Sequence, residues 1–173
     1  MKKTTLIISL ALSIFAVDFE EIKSGIKTQD ISGNFTQTKI LKGFKNEFKS
    51  FGSFELSQAE LLWSSKKPIV SQVVINKDGI FQKNGEELVK TTQNFDEKLF
   101  LALVKLDESE LKKEFDYEIL SLNEGWRIVL TPKNILLKQI FTQISISGDK
   151  FVKRLELDEV SGDKTINEFY DIK

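Results

Sequence analysis

The chain has 173 residues, with 25 Lys and Arg against 26 Asp and Glu for a formal net charge of −1, 14 Phe, no His and no Cys. That balance leaves no electrostatic footprint for nucleic acid, and the absence of His and Cys excludes Ser-His-Asp and Cys-His nucleophiles and the usual zinc ligand sets. No G-x-x-x-x-G-K-[ST] stretch offers a phosphate cradle, and the many carboxylates read as solvating surface, so neither a cofactor nor an enzymatic activity is expected.

In chain order, MKKTTLIISLALSIFA at residues 1–16 puts Lys2 and Lys3 before an uncharged apolar run from Leu6 to Phe15 and closes on Ala16. This is the layout of a secretory signal peptide, and no other stretch approaches the length of a membrane span. With no cysteine there is no lipobox, so the expectation is a soluble, exported, monomeric protein in the periplasm, with residues 17–173 forming one domain. Next, VDFEEIKSGIKTQ sets Phe19, Ile22 and Ile26 at helical spacing, acids early and lysines late, which predicts an amphipathic helix.

From Gly33 the period changes to two. Between Phe44 and Leu56 the even positions carry Phe44, Phe48, Phe54 and Leu56, while the odd ones carry Lys45, Glu47, Lys49, Phe51 and Glu55, so most rings lie on one face and most charges on the other. A stacking platform for single-stranded nucleic acid needs rings and cations converging on one groove. Here the pleat sends them to opposite sides, so the lysines are the wet back of an apolar wall. Further strands follow, separated by turns: IVSQVVI then NKDG, IFQ then KNGE, YEILSL then NEG, WRIVL, FTQISI then SGD, FVKRLEL then EVSGD, and TINEFYDI. Gly after Asp, Asn or Glu supplies the positive φ that hairpins require. Ile140, Ile144 and Ile146 share a face, as do Phe151, Leu155 and Leu157 opposite Arg154, Glu156 and Asp158, which describes an antiparallel meander with one solvated face.

One helical insert interrupts the strands. Asn94 with Glu97, and Asp107 with Glu110, each fit an N-cap and an acidic third position. They head FDEKLFLALVKL, whose apolar stripe is Phe95, Leu99, Phe100, Leu103 and Leu106, and ESELKKEF. A sheet with one apolar face and two amphipathic helical regions is satisfied if it curls and the helices cover its concave side. Pattern alone leaves open whether the interior is a filled core or a cavity, with the filled core slightly favoured.

GNFTQTKIL, GSFELSQAELLW followed by KP, VINKDGIF, IVLTPK and LKQIFTQISISGDKFVKRLELDEVSGDKTINEFYDI, in that order and spacing, resemble the LolA family of periplasmic lipoprotein carriers over about residues 19–172. The resemblance implies an unclosed antiparallel β-barrel, mainly β with α, whose helices form a lid over a hydrophobic cavity. It implies a protein that takes acylated lipoproteins from an inner-membrane ABC transporter (LolCDE-like) and delivers them to an outer-membrane acceptor (LolB-like), converting nothing. The residues then expected to line the cavity are Phe35, Phe48, Phe54, Leu56, Leu61, Trp63, Phe81, Ile144 and Ile146. Those expected on the lid are Phe19, Ile22, Ile26, Phe95, Leu99, Phe100 and Leu103. The family's lid-latching arginine and the proline after it align with Ser57 and Gln58. Two other readings share these parts: a carrier of another amphiphile such as a glycolipid, and a periplasmic lipid- or protein-binding sensor.

Overall fold

The computed structural model describes residues 18–91 and 97–173. The expected signal peptide, Asn94 and Phe95 lie outside the described residues. Helix α1, Phe19–Gly25, is capped by Asp18, whose carboxylate accepts from the Glu21 N–H at 2.7 Å, with Glu20 and Glu21 in its first turn and Lys23 in its last. Six strands follow: β1 Ile31–Ile40, β2 Phe48–Leu56, β3 Glu60–Lys67, β4 Ser71–Asn76, β5 Gly79–Asn84 and β6 Glu87–Lys90. Helices α2, Glu97–Lys105, and α3, Glu108–Glu114, interrupt them. Then come β7 Phe115–Ser121, β8 Trp126–Pro132, the short α4 Ile135–Lys138, β9 Phe141–Gly148, β10 Val152–Glu159 and β11 Lys164–Tyr170.

All eleven strands form one antiparallel sheet in the order β6-β5-β4-β3-β2-β1-β11-β10-β9-β8-β7. The last strand pairs with the first, and β6 and β7 end the sheet without meeting, so the barrel is not closed. The turn glycines behave as their dipeptides predict: Gly79 after Asp78 has φ 143° and Gly85 after Asn84 has φ 66°, values that favour glycine. Asp107 caps α3, accepting from the N–H groups of Ser109 and Glu110, with Glu110 at the expected third position.

Residues paired across antiparallel strands point to the same side, so the register sorts the faces. Ile80, Ile75, Leu61, Leu56 and Ile31 are successive partners across β5, β4, β3, β2 and β1. On the other half, Ile128, Ile146 and Leu155 line up across β8, β9 and β10, beside Leu130, Ile144 and Leu157. These residues are buried in a single cluster with Phe19 and Ile22 of α1 and with Leu99, Ala102 and Leu103 of α2. The opposite face carries an ion network: Glu156 accepts from Arg154 Nε at 2.8 Å and from Arg127 Nη2 at 3.2 Å, and Lys164 pairs with Asp158 at 2.9 Å. The sheet therefore curls with its apolar side inward under the helices.

Four expectations need correction. Phe44 is not in a strand: β2 begins at Phe48, and Phe44 is an exposed loop residue. Phe48 shares the inward parity of Phe54 but stands at the start of β2, beyond the reach of the helices, and is 53% exposed. Phe81 faces outward, because Asn76 pairs with Gly79 across a two-residue turn and this puts Ile75 opposite Ile80 on the inside, leaving Phe81 opposite Val74 and Lys90 on the outside. Ile140 lies before β9 and is exposed. The sequence pattern also passed over β3, whose E-L-L-W-S-S-K-K lacks a clean alternation, and over β6 and α4, both only four residues long and too short to show a period.

Candidate functional site

Strands β1 and β2 fit together through their glycines. Gly33 pairs with Phe54, and Phe35 pairs with Gly52. A Cβ on Gly52 would lie 2.6 Å from the Phe35 ring and 2.1 Å from the Ser64 carbonyl oxygen; one on Gly33 would lie 2.9 Å from the Phe54 ring. Each missing side chain is the space in which the partner's ring lies. With Phe35 laid flat in this way, Trp63 stacks on it at a centroid separation of 3.8 Å and an interplanar angle of 27°. Trp63 also meets Phe169 edge-on at 6.0 Å, and Phe169 meets Phe54 at 5.3 Å.

Among the described residues, α2 meets this aromatic wall through Phe100. Phe100 of α2 approaches Trp63 edge-on at 6.3 Å and 78°, an arrangement that aligns ring edge with ring face. Around it Leu99, Ala102, Leu103 and Val104 are buried, so α2 presents a broad apolar stripe to the sheet. The helix ends at Leu106, buried and at φ 49°. The Asp107 N–H then donates to the Ala102 carbonyl at 2.9 Å, and Asp107 opens α3. Leucine in the left-handed region is unusual; its burial in the core holds this corner. On the far side, α1 lays Phe19 edge-on against Tyr117 of β7 at 5.4 Å.

A polar tie crosses from lid to wall at the β2–β3 turn. Lys105 Nζ, at the end of α2, donates to the Gln58 carbonyl oxygen at 2.8 Å. Ser57 organises that turn: its hydroxyl accepts from the Glu60 N–H at 3.1 Å and the Ala59 N–H at 3.3 Å. Burial pushes the Lys105 ammonium below its usual range, and Asp107 opposes this by favouring the charged form. Gln58 of the β2–β3 turn thus supplies a carbonyl acceptor, and the cation comes from Lys105 of α2.

Of the expected wall residues, Phe35, Phe54, Leu56, Leu61, Ile144 and Ile146 are buried and Trp63 is half-buried against them; Phe48 and Phe81 lie outside the cluster. Of the expected lid residues, Phe19, Ile22, Leu99 and Leu103 are buried, while Ile26 and Phe100 pack partly buried against the cluster. In this state wall and lid touch, and the interior is mostly filled by the chain's own side chains. A solvent-open void of about 340 Å³ lies at one rim, bounded by Phe100, Ile140, Phe141 and Leu157 on an apolar side and by Gln37, Glu159, Thr165 and Asn167 on a polar side. Gln37 Nε2 donates to Asn167 Oδ1 at 2.9 Å, so the polar side is already organised. The wider groove at the other rim, about 450 Å³, is bordered by the charged Asp149, Lys150, Lys153 and Asp171. The inward polar residues of β1 and β11 were not expected at the site; the alternation of Phe35 with Gln37 and of Phe169 with Asn167 was the signal for them.

An unclosed curved sheet, helix-covered and apolar within, defines a binding fold for apolar groups. The chain belongs to the LolA family: the family model described as outer membrane lipoprotein carrier protein LolA matches residues 26–173. Among solved structures, MucB superposes with a TM-score of 0.52 at 14% identity, over 93% of this chain and 59% of that one. A LolA-superfamily protein from Nitrosomonas europaea matches over 90% of both chains at 8% identity and a TM-score of 0.49. A putative outer membrane lipoprotein-sorting protein domain from Vibrio parahaemolyticus matches over 89% of both at 8% identity and a TM-score of 0.39. Comparison with curated proteins finds no match.

Proposed function

We propose that this protein is an exported, periplasmic, monomeric carrier that shields the acyl chains of lipoproteins between an inner-membrane ABC transporter and an outer-membrane acceptor. Residues 1–16 serve as the signal peptide. The observation that carries this reading is the position of Phe100: one lid side chain both closes on the Trp63 wall and borders the void at the rim, so moving it enlarges the void and uncovers the wall together.

Energetics explain why a carrier would keep such a lid. Burying a methylene contributes about 0.8 kcal/mol, so one chain of roughly sixteen carbons is worth about 13 kcal/mol gross. Two or three would exceed the practical ceiling of about 18–21 kcal/mol for non-covalent affinity, and such cargo would never be released. A void of about 340 Å³ is at the small end of ligand pockets, so cargo enters by displacing α2. Each buried leucine of the lid is worth about 1.5–3 kcal/mol against the wall. Losing those contacts on loading offsets part of the acyl gain and leaves an affinity that permits hand-over.

Native mass spectrometry of periplasmic material purified without detergent tests the reading. The expected result is a bound acylated species, or uptake of a labelled acylated lipopeptide but not of its unacylated form. A chain that ignores both would overturn it. A bound glycolipid would instead support a carrier of another amphiphile. The fold is also that of MucB, solved in complex with MucA; binding of a partner indifferent to acylation would point to a protein-binding sensor.

A further inference from the structure

The exposed apolar side chains are unevenly distributed. Every large apolar residue more than half exposed among the described residues lies on one rim of the barrel, the rim that holds the void. The β1–β2 loop carries Phe44, with Phe48 at its end; the β3–β4 turn carries Ile69 and Val70; α4 carries Ile135 and Leu136; the β10–β11 turn carries Val160. The register places these connections at one end: Lys67 pairs with Phe51 near the start of β2, Ile40 with Lys164, and the Val160 N–H donates to the Ile140 carbonyl at 2.9 Å. The opposite rim, with the β2–β3, β4–β5, β7–β8 and β9–β10 turns, has none above half exposure, its most exposed being Leu120 and Leu122 at 45% and 46%. A folded chain has no reason of its own to leave its most exposed aliphatics on one edge.

Lysines flank three of these apolar tips, while Val160 stands beside Glu159. The stretches read K-G-F-K at 42–45, K-K-P-I-V at 66–70 and K-N-I-L-L-K at 133–138, six lysines in a chain whose formal charge is −1. The nearby acids are engaged or lie at the margin: Glu47 pairs with Lys49 and Glu159 with Lys39, Asp163 accepts from the Lys42 N–H, and Glu86 and Glu87 mark the β5–β6 turn at the sheet's edge. Lys133 is itself held by the Lys112 carbonyl and Asp116. We propose that this rim docks on a lipid bilayer bearing anionic headgroups, with the apolar tips entering the headgroup boundary and the other five lysines meeting the phosphates. Separate tips, three of them an apolar pair or ring with flanking cations, suit an interface that deforms around them; a rigid protein partner would call for one continuous complementary patch. Docking stands on the rim alone. Its use in passing an acyl chain through the adjoining void rests on the carrier reading.

Vesicle flotation of the purified chain, with all variants sharing one N-terminus, tests the proposal. Wild type should float with phosphatidylethanolamine–phosphatidylglycerol vesicles and much less with phosphatidylcholine, and the binding should weaken with salt. Ile69→Ser with Val70→Ser should reduce it about tenfold or more at unchanged melting temperature, since both side chains are already in solvent. Lys66→Glu with Lys67→Glu should abolish the preference for anionic vesicles. Wild type that stays unbound with both vesicle types, or serine variants that float as well as wild type, would overturn it. Capture of labelled acyl chain in vesicle-free solution, measured alongside, reports separately on the carrier reading.

Discussion

Lys105 and Gln58, 47 residues apart, are joined by a hydrogen bond of 2.8 Å from the lysine ammonium to the backbone carbonyl, and this bond ties the end of the lid helix to the β2–β3 turn. Because the acceptor is main chain, changing Gln58 would leave the bond in place and changing Lys105 would remove it. Lys105→Met is expected to cost about 0.5–1.5 kcal/mol of stability while raising amide exchange in Glu97–Lys105 and uptake of an apolar dye. Exchange in α2 that stays as slow as in wild type would show that the lid is held by its apolar stripe alone.

Phe100→Ala removes the ring that meets Trp63 and borders the void. The expected result is a stability loss of about 1–3 kcal/mol, below the usual cost for a fully buried phenylalanine because this one is half-buried, together with stronger binding of an acyl probe. Denaturation and probe titration on the same preparation check both. Weaker probe binding would place the entrance elsewhere.

Gly52→Ala forces a methyl group into the Phe35 ring and the Ser64 carbonyl. Neither can retreat, since the ring is stacked on Trp63 and the carbonyl belongs to β3. A loss of about 2–3 kcal/mol is expected. Gly25→Ala, where a Cβ would meet nothing within 4 Å, should be close to neutral. Similar midpoints in urea for the two variants would refute the interlocking of β1 with β2.

Glu156 sits at the centre of the outer ion network. Burial pushes its carboxyl up, but the Arg154 hydrogen bond and the charges of Arg154, Lys164 and Arg127 outweigh that and hold it below the ordinary value, about 4.3 for a glutamate. A carboxylate depressed in the folded state contributes stability that is full above the unfolded value and is lost as pH falls through the folded one. Glu156→Gln should therefore destabilise by about 1–2 kcal/mol at pH 7, and the gap from wild type should close below about pH 4. A gap that persists undiminished in acid would trace the loss to packing.

Much of this molecule follows from local pattern. Period two with Asp-Gly and Asn-Gly turns made the meander legible; Phe19, Ile22 and the acid-to-lysine gradient made α1 legible; Asp107 with Glu110 marked the start of α3. These signals are short-range, so a single segment contains all of each. Local parity also put Phe54, Leu56, Ile144 and Ile146 on the inner face, and the family resemblance put Phe35, Leu61 and Trp63 there.

Tertiary structure decided the rest. Phe48 has the right parity and still stands in solvent, because burial depends on how far the helices reach along the sheet. Phe81 turned outward because a two-residue turn fixed which of Ile80 and Phe81 pairs with Ile75. Whether the interior is open or filled, which carbonyl receives Lys105, and the gathering of the more-than-half-exposed apolar tips of the described residues on one rim all arise from contacts between segments distant in sequence. Such contacts are set by how the sheet curls, and no single segment encodes that curvature.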